Sequence, residues 1–159
     1  MRAYKLKIIF GVFTIILGIT DIAYGDTSST IEFPKQAIYT KNAPAPIGAY
    51  SQAIKIGSAT YISGQIPIDS KTEELVTGDF SSQFRTAIAN LSEITKSTGG
   101  SLNDIVKVTI YVTDLANFPA INQVMAEYFQ KPYPARVVVE VKALPKHAPV
   151  EIEAIMEKK

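Results

Sequence analysis

Two charges in this chain stand where an apolar strand would normally carry none. Pro134-Ala135-Arg136 runs into Val137-Val138-Val139-Glu140-Val141, and Glu151 is set between Val150 and Ile152. A guanidinium fork reads a planar carboxylate through two parallel hydrogen bonds, and a half-buried glutamate can take a proton from water. Arg136 as anchor and Glu151 as water activator therefore describe a site for a small organic acid. Residue type alone favours a plainer reading, the two as strand-end partners in an ion pair between subunits.

Other chemistries find less support. Ser51, Ser63 and Asp69 could suggest a catalytic triad, but no Gly-x-Ser-x-Gly turn surrounds either serine. The chain has no cysteine, which excludes thiol nucleophiles, disulfides and thiolate metal sites. Its single histidine, His147, lies in a proline-flanked turn and is expected to be exposed, so no metal site is assigned and no cofactor is called for. Glu140 and Glu153 read as solvated or paired strand charges without a catalytic role. Tyr50 alone reads as a core or interface aromatic with a wet hydroxyl.

The 159 residues suffice for one domain with a real core, since 47% of them are hydrophobic. Part of that figure comes from the N-terminus. Arg2, Lys5 and Lys7 precede the apolar run 8–20, which is shorter than the ~20 residues of a comfortable membrane span, and Ala23-Tyr24-Gly25 offers small residues for a signal peptidase. Residues 1–25 are thus expected to be a cleaved signal peptide, the alternative being an uncleaved anchor. Either way the domain lies outside the cytoplasm, periplasmic or secreted, and cleavage leaves no stable membrane association. Removing 1–25 takes away Arg2, Lys5, Lys7 and Asp21, so 16 basic groups become 13, 15 acidic become 14, and the net charge moves from +1 to −1. No basic stripe remains for a nucleic-acid partner.

Residues 26–36 read as a flexible tether, and 37–159 as the domain. The strands expected are 49–56 and 60–66, a hairpin around Gly57-Ser58, then 104–112, 135–141 and 150–156, with a further short strand near 37–40. Phe80, Phe84, Ile88, Leu91 and Ile94 mark one face of a helix over 80–98, capped by Asp79 and stopped by Gly99-Gly100. Ser82, Arg85, Asn90 and Glu93 are expected on its wet face. Ile105, Val106, Val108, Ile110 and Val112 suggest a strand buried on both faces for part of its length. Asn117 is expected to cap a second helix, with Pro119 in its first turn. The order gives an α+β fold, a mixed sheet with two helices on one face. Val137, Val139 and Val141 alternate with Arg136, Val138 and Glu140, so this strand offers apolar residues to both faces while two helices cover only one, and self-association is the economical way to cover the other.

Several segments together resemble the RidA/YjgF family of enamine and imine deaminases. They are the stretch from Asn42 to Gln52 (NAPAPIGAYSQ), Ser63-Gly64-Gln65-Ile66-Pro67, Pro134-Ala135-Arg136 and Val150-Glu151-Ile152, and the resemblance spans Thr40 to Met156. It implies a chorismate-mutase-like fold, a homotrimer with sheets facing inward as a barrel, and three clefts between subunits. The implied reaction is hydrolysis of 2-imino acids, or their enamine tautomers, to 2-oxo acids and ammonia, without metal or organic cofactor. Arg136 would bind the substrate carboxylate and Glu151 would position or deprotonate water. Tyr50 and Asn122 would line the cleft, and Ser63, Gly64 and the backbone of Val138 would supply polar groups near the imine. Many relatives carry a cysteine where this chain has Val138, a loss that bears on thiol chemistry more than on hydrolysis.

If the strand after Arg136 and the last strand are antiparallel, Arg136 and Glu151 lie toward opposite ends of one sheet, ~20 Å apart. Each site would then pair Arg136 of one subunit with Glu151 of another. The competing reading is a small-carboxylate-binding or chaperone-like trimer without turnover. Glu151 beside Arg136 favours catalysis, because carboxylate binding gains nothing from a nearby anion. A ribonuclease or translation-inhibitor role, ascribed to relatives, suits a chain of net charge −1 least.

Overall fold

The computed structural model describes residues 32–158. The signal-peptide reading of residues 1–25 and most of the tether lie outside them. Eight elements build the domain: β1 (Gln36–Ile38), β2 (Ala53–Ile56), β3 (Ala59–Gln65), α1 (Phe80–Ser97), β4 (Ile105–Val112), α2 (Phe118–Tyr128), β5 (Ala135–Glu140) and β6 (Val150–Glu157). Six strands form one sheet in the order β1-β2-β3-β6-β4-β5, antiparallel throughout except for the parallel pair β4–β5. The units β3-α1-β4 and β4-α2-β5 are both strand-helix-strand crossovers, which place the helices over the sheet. This is the α+β arrangement that the order of elements predicts.

Helix α1 runs as its period requires. Phe84, Ile88, Leu91 and Ile94 are fully buried, the Asp79 carboxylate accepts from the Ser82 amide at 2.7 Å, and Gly99 ends the helix at φ 80°. The face of the sheet under the helices is made by Val108, Ile110 and Val112 of β4 and Val150, Ile152 and Ala154 of β6, all buried.

Several local expectations are corrected. Val106 is exposed and β4 is buried on one face only, because a register shift between Ile105 and Lys107 resets the alternation. Asn90 is buried rather than wet, and its carboxamide donates to the carbonyls of Ile66 and Ile68. Asn117 does not cap α2 with its side chain. It belongs to a short 3-10 turn, Leu115–Asn117, whose cap is Asp114. β2 begins at Ala53, since the Gln52 side chain is committed to the preceding loop.

On the face away from the helices, Val137 and Val139 of β5 are exposed, as is Tyr61 of β3, which β6 and β4 separate from them. Val138, alternating with them, packs against the core. The strand therefore offers apolar side chains to both faces, and the second face is uncovered within one chain.

Candidate active site

Glu151 lies in the central strand β6, with its side chain on the face away from the helices, in the row that contains Tyr111 of β4 and Val139 of β5. Its carboxylate sits against the backbone of Gly64 so closely that a Cβ there would fall 1.8 Å from Oε1. Only glycine leaves that space. β3 and β6 slip register between Ile62 and Gln65, and this irregularity sets Ser63 and Gly64 beside the carboxylate. Burial raises the Glu151 carboxyl above its ordinary value, and the nearby charge of Glu153 raises it further. Tyr111, directly opposite Glu151, donates its hydroxyl to Glu153 Oε1 at 3.3 Å.

Tyr50, Ser63 and Gly64 join Glu151 in one cleft of about 350 Å³. Tyr50 is placed there by a loop that Gln52 holds. The buried Gln52 carboxamide accepts from the Thr40 amide at 2.7 Å and donates to the carbonyls of Thr40, Ala43 and Pro44. Ser63 is fixed to the same segment, its hydroxyl donating to Ser51 O at 2.7 Å and its amide to Gln52 O at 3.0 Å.

Arg136 and Asn122 form a second constellation. Arg136 shares a row with the buried Val108 and Ala154, so its side chain leaves the sheet on the helix side. Its Nη2 donates to Asn122 Oδ1 of α2 at 2.8 Å, and its guanidinium carbon lies 5.5 Å from the centre of the Phe118 ring. The two groups border a hollow of about 470 Å³, closed in part by Tyr133 and Met125. Val138 lies two residues further along β5. The Val141 amide donates to Val112 O, so alternation turns the Val138 N–H and C=O away from β4, off the free edge of the sheet.

The sequence-derived residues thus fall into two separate groups: Tyr50, Ser63, Gly64 and Glu151 in one, Arg136, Asn122 and the Val138 backbone in the other. Arg136 and Glu151 are antiparallel in placement, as expected, but the separation has a different cause. They are three rows apart along the strands, roughly 10 Å, with β4 between them, roughly another 10 Å, and they emerge on opposite faces. No rotamer lets one chain bring both to a single small acid.

Three supporting residues escaped the sequence reading. Phe118 precedes Asn122 by one helical turn, and that spacing was a usable signal for a shared face. Gln52 and Asn90 carried none, because their partners are backbone carbonyls of distant loops. His147 is exposed. Among the described residues no three His, Cys, Asp or Glu side chains converge in metal-binding geometry.

A mixed six-stranded sheet with two helices on one face, an arginine at its free edge and a glutamate over a glycine on the other face define a recognisable class of α+β domain. The family model described as Endoribonuclease L-PSP matches residues 40–158. A RutC family protein of Pyrococcus horikoshii is 54% identical over 121 residues, covering 76% of this chain and 96% of that protein. The 2-iminobutanoate/2-iminopropanoate deaminase of Dermatophagoides farinae is 46% identical over 123 residues, covering 77% and 96%. Among solved structures, RidA from an Antarctic Psychrobacter superposes with a TM-score of 0.75 at 46% identity, covering 77% of this chain and 99% of that one. Escherichia coli TdcF with bound serine gives 0.73 at 39% identity, covering 78% and 99%. The chain belongs to the RidA/YjgF/L-PSP (Rid) family.

Proposed function

We propose that this protein hydrolyses reactive 2-imino acids, or their enamine tautomers, to 2-oxo acids and ammonia, in clefts shared by neighbouring subunits of a homotrimer. The observation that carries this reading is the Glu151 carboxylate, half-buried over Gly64 in a cleft with Tyr50 and Ser63, its proton affinity raised by desolvation. Relatives at 46% and 42% identity bear the name 2-iminobutanoate/2-iminopropanoate deaminase, which accords with it. The opposite faces of Arg136 and Glu151 favour shared clefts, and the exposed Val137 and Val139 supply a surface for assembly.

An imine carbon is already electrophilic, particularly once protonated. Arg136 of one subunit holds the substrate carboxylate, kept in place by Asn122 and Phe118. Glu151 of the next accepts a proton from water as the oxygen attacks the imine carbon, giving a carbinolamine. The proton returns to the nitrogen, the C–N bond breaks and ammonia leaves, and the hydroxyl gives its proton back to Glu151 as the C=O bond forms. Positioning and general-base contributions of ~10² to 10⁴ suffice for so labile a substrate.

The reaction is placed outside the cytoplasm on the strength of residues 1–25, with amino-acid oxidation by envelope flavoenzymes as the source of imines. Mass measurement of the protein from its native envelope checks the processing: a chain beginning at Asp26 is expected, and a full-length chain in the cytosol rules the placement out.

The test of function adds the purified protein to an amino-acid oxidase reaction with semicarbazide trapping residual imine, alongside Arg136→Ala. Faster release of ammonia and 2-oxo acid that disappears in the variant is expected. No acceleration over a panel of amino acids would falsify the hydrolase reading and leave a ligand-binding trimer.

A further inference from the structure

Gln65 belongs to the Ser63-Gly64-Gln65-Ile66-Pro67 segment, yet the hydrolysis described above gives its side chain no part. The residue is nevertheless buried, with 6% of its surface exposed. Gln65 stands opposite Ile152, just past the slip in register: between the pairs Ile62–Ala154 and Gln65–Ile152, β3 carries Ser63 and Gly64 where β6 carries Glu153 alone. An extra residue on one strand leaves backbone groups without a ladder partner, and buried carbonyls need one. Gln65 supplies it, its Nε2 donating to Ser63 O at 3.1 Å and to Gly64 O at 3.2 Å. A carboxamide nitrogen carries two hydrogens, and this one gives both to consecutive carbonyls.

Those carbonyls belong to the peptides on either side of Gly64. A peptide is planar, so holding its oxygen holds its plane, and with both planes held Gly64 has no torsional freedom left. Glycine is the residue for which that restraint matters most, since without a Cβ it samples many orientations when nothing holds it. The flanking residues are anchored too. Ser63 donates its hydroxyl to Ser51 O and its amide to Gln52 O, and beyond Gln65 the Asn90 carboxamide on α1 holds Ile66 O and Ile68 O. The result is a bulge gripped along its length. Its Gly64 backbone is the surface against which the Glu151 carboxylate rests, so close that a Cβ there would overlap Oε1. All of these bonds lie within one chain and owe nothing to a neighbouring subunit.

We propose that Gln65 is a positioning residue for the hydrolysis: by fixing the peptides on both sides of Gly64 it seats the Glu151 carboxylate for proton transfer from water. The proposal rests on the reading of Glu151 as the base. Loss of the clamp leaves Arg136 and its partners untouched, so the substrate carboxylate is still bound while the base is misplaced. A displacement of that kind costs about tenfold to a hundredfold in rate. Of the titratable groups around Glu151, Glu153 on β6 and Tyr111 on β4 share its face of the sheet and Tyr50 shares its cleft.

Two substitutions test this. Gln65→Met keeps the length and bulk of the side chain and removes both donors, leaving every titratable group around Glu151 in place. Gln65→Glu keeps the shape and, ionised at neutral pH, offers the two carbonyls only acceptors. Both are compared with the wild type in imine hydrolysis, and the Glu151 carboxyl of the wild type and of Gln65→Met is titrated by ¹³C NMR, a readout that needs no turnover. The expected result is a kcat lower by about tenfold to a hundredfold in both variants with KM within about twofold of wild type. The Glu151 titration is expected to move to lower pH in Gln65→Met, as the loosened carboxylate gains water. Either an unmoved titration or an unchanged kcat in a hydrolysing enzyme overturns the positioning role and leaves the hydrolase reading standing. If the wild type hydrolyses no imine, yet the titration moves, the seating of Glu151 by Gln65 stands and the hydrolase reading falls. Absent turnover with an unmoved titration sinks both. If neither variant folds, Gln65 serves the fold and the proposal falls.

Discussion

Gly64 shows how much of this site is decided by one missing methyl group. A Cβ at that position would overlap the Glu151 carboxylate, which is the mobile end of a side chain and can swing aside without disturbing the sheet. Gly64→Ala is therefore expected to fold and assemble as the wild type does while losing ~10² to 10⁴ in kcat, the scale of a general-base contribution. Thermal unfolding and steady-state kinetics on one preparation check this; a variant that melts early would mean the glycine serves the fold instead. Gln52 is the opposite kind of residue, since it touches no reacting atom in the mechanism and holds the loop bearing Tyr50. Gln52→Leu keeps the size but leaves the Thr40 amide and the carbonyls of Thr40, Ala43 and Pro44 without their partner. A loss of about 1–3 kcal/mol in urea unfolding is expected.

Among the elements, β6 has the most consequences, because it is bonded on both sides and carries Glu151 and Glu153 on the same face. Burial and then the Glu153 charge raise the Glu151 carboxyl above 4.5. The proposed mechanism needs the anion, so kcat/KM is expected to climb as pH rises through that raised value. Glu153→Gln removes the second cause and is expected to move the rise to lower pH, which a pH-rate profile reads directly. The sign for stability is opposite: a raised folded-state pKa means that Glu151's contribution is fully present below 4.5 and is lost as pH rises through the raised value. The elements were also what the sequence showed best. The period of α1 and the alternation in β5 can be read residue by residue, and Asp79 and Gly99 mark the ends of α1. The register shift that exposes Val106 could not be seen, since an extra strand residue leaves no compositional trace. Asn90 reads as a wet-face residue and Gln52 as part of a strand, because hydrogen bonds to distant carbonyls have no signature in a local window. The strand direction that separates Arg136 from Glu151 follows only as a condition from the family resemblance, and their opposite faces depend on the register of β4 against both neighbours, which the sequence does not show.

At the scale of the whole molecule, the proposed trimer can be tested by complementation. Arg136→Ala and Glu151→Ala chains, each inactive alone, are expected to recover about a quarter of wild-type activity when unfolded together and reassembled in equal amounts, because random mixing makes that fraction of shared clefts intact. No recovery after mixing is verified by native mass spectrometry excludes sites shared between subunits. The placement of Arg136 and Glu151 on opposite faces of one sheet also bears on timing and dose. On the proposed mechanism, a chain that has folded but not yet found its neighbours holds an anchor and a base that cannot meet, so it would be chemically silent and catalytic power would follow concentration. Specific activity is then expected to fall steeply on dilution below the assembly threshold and to return on reconcentration, in step with the sedimentation of the trimer.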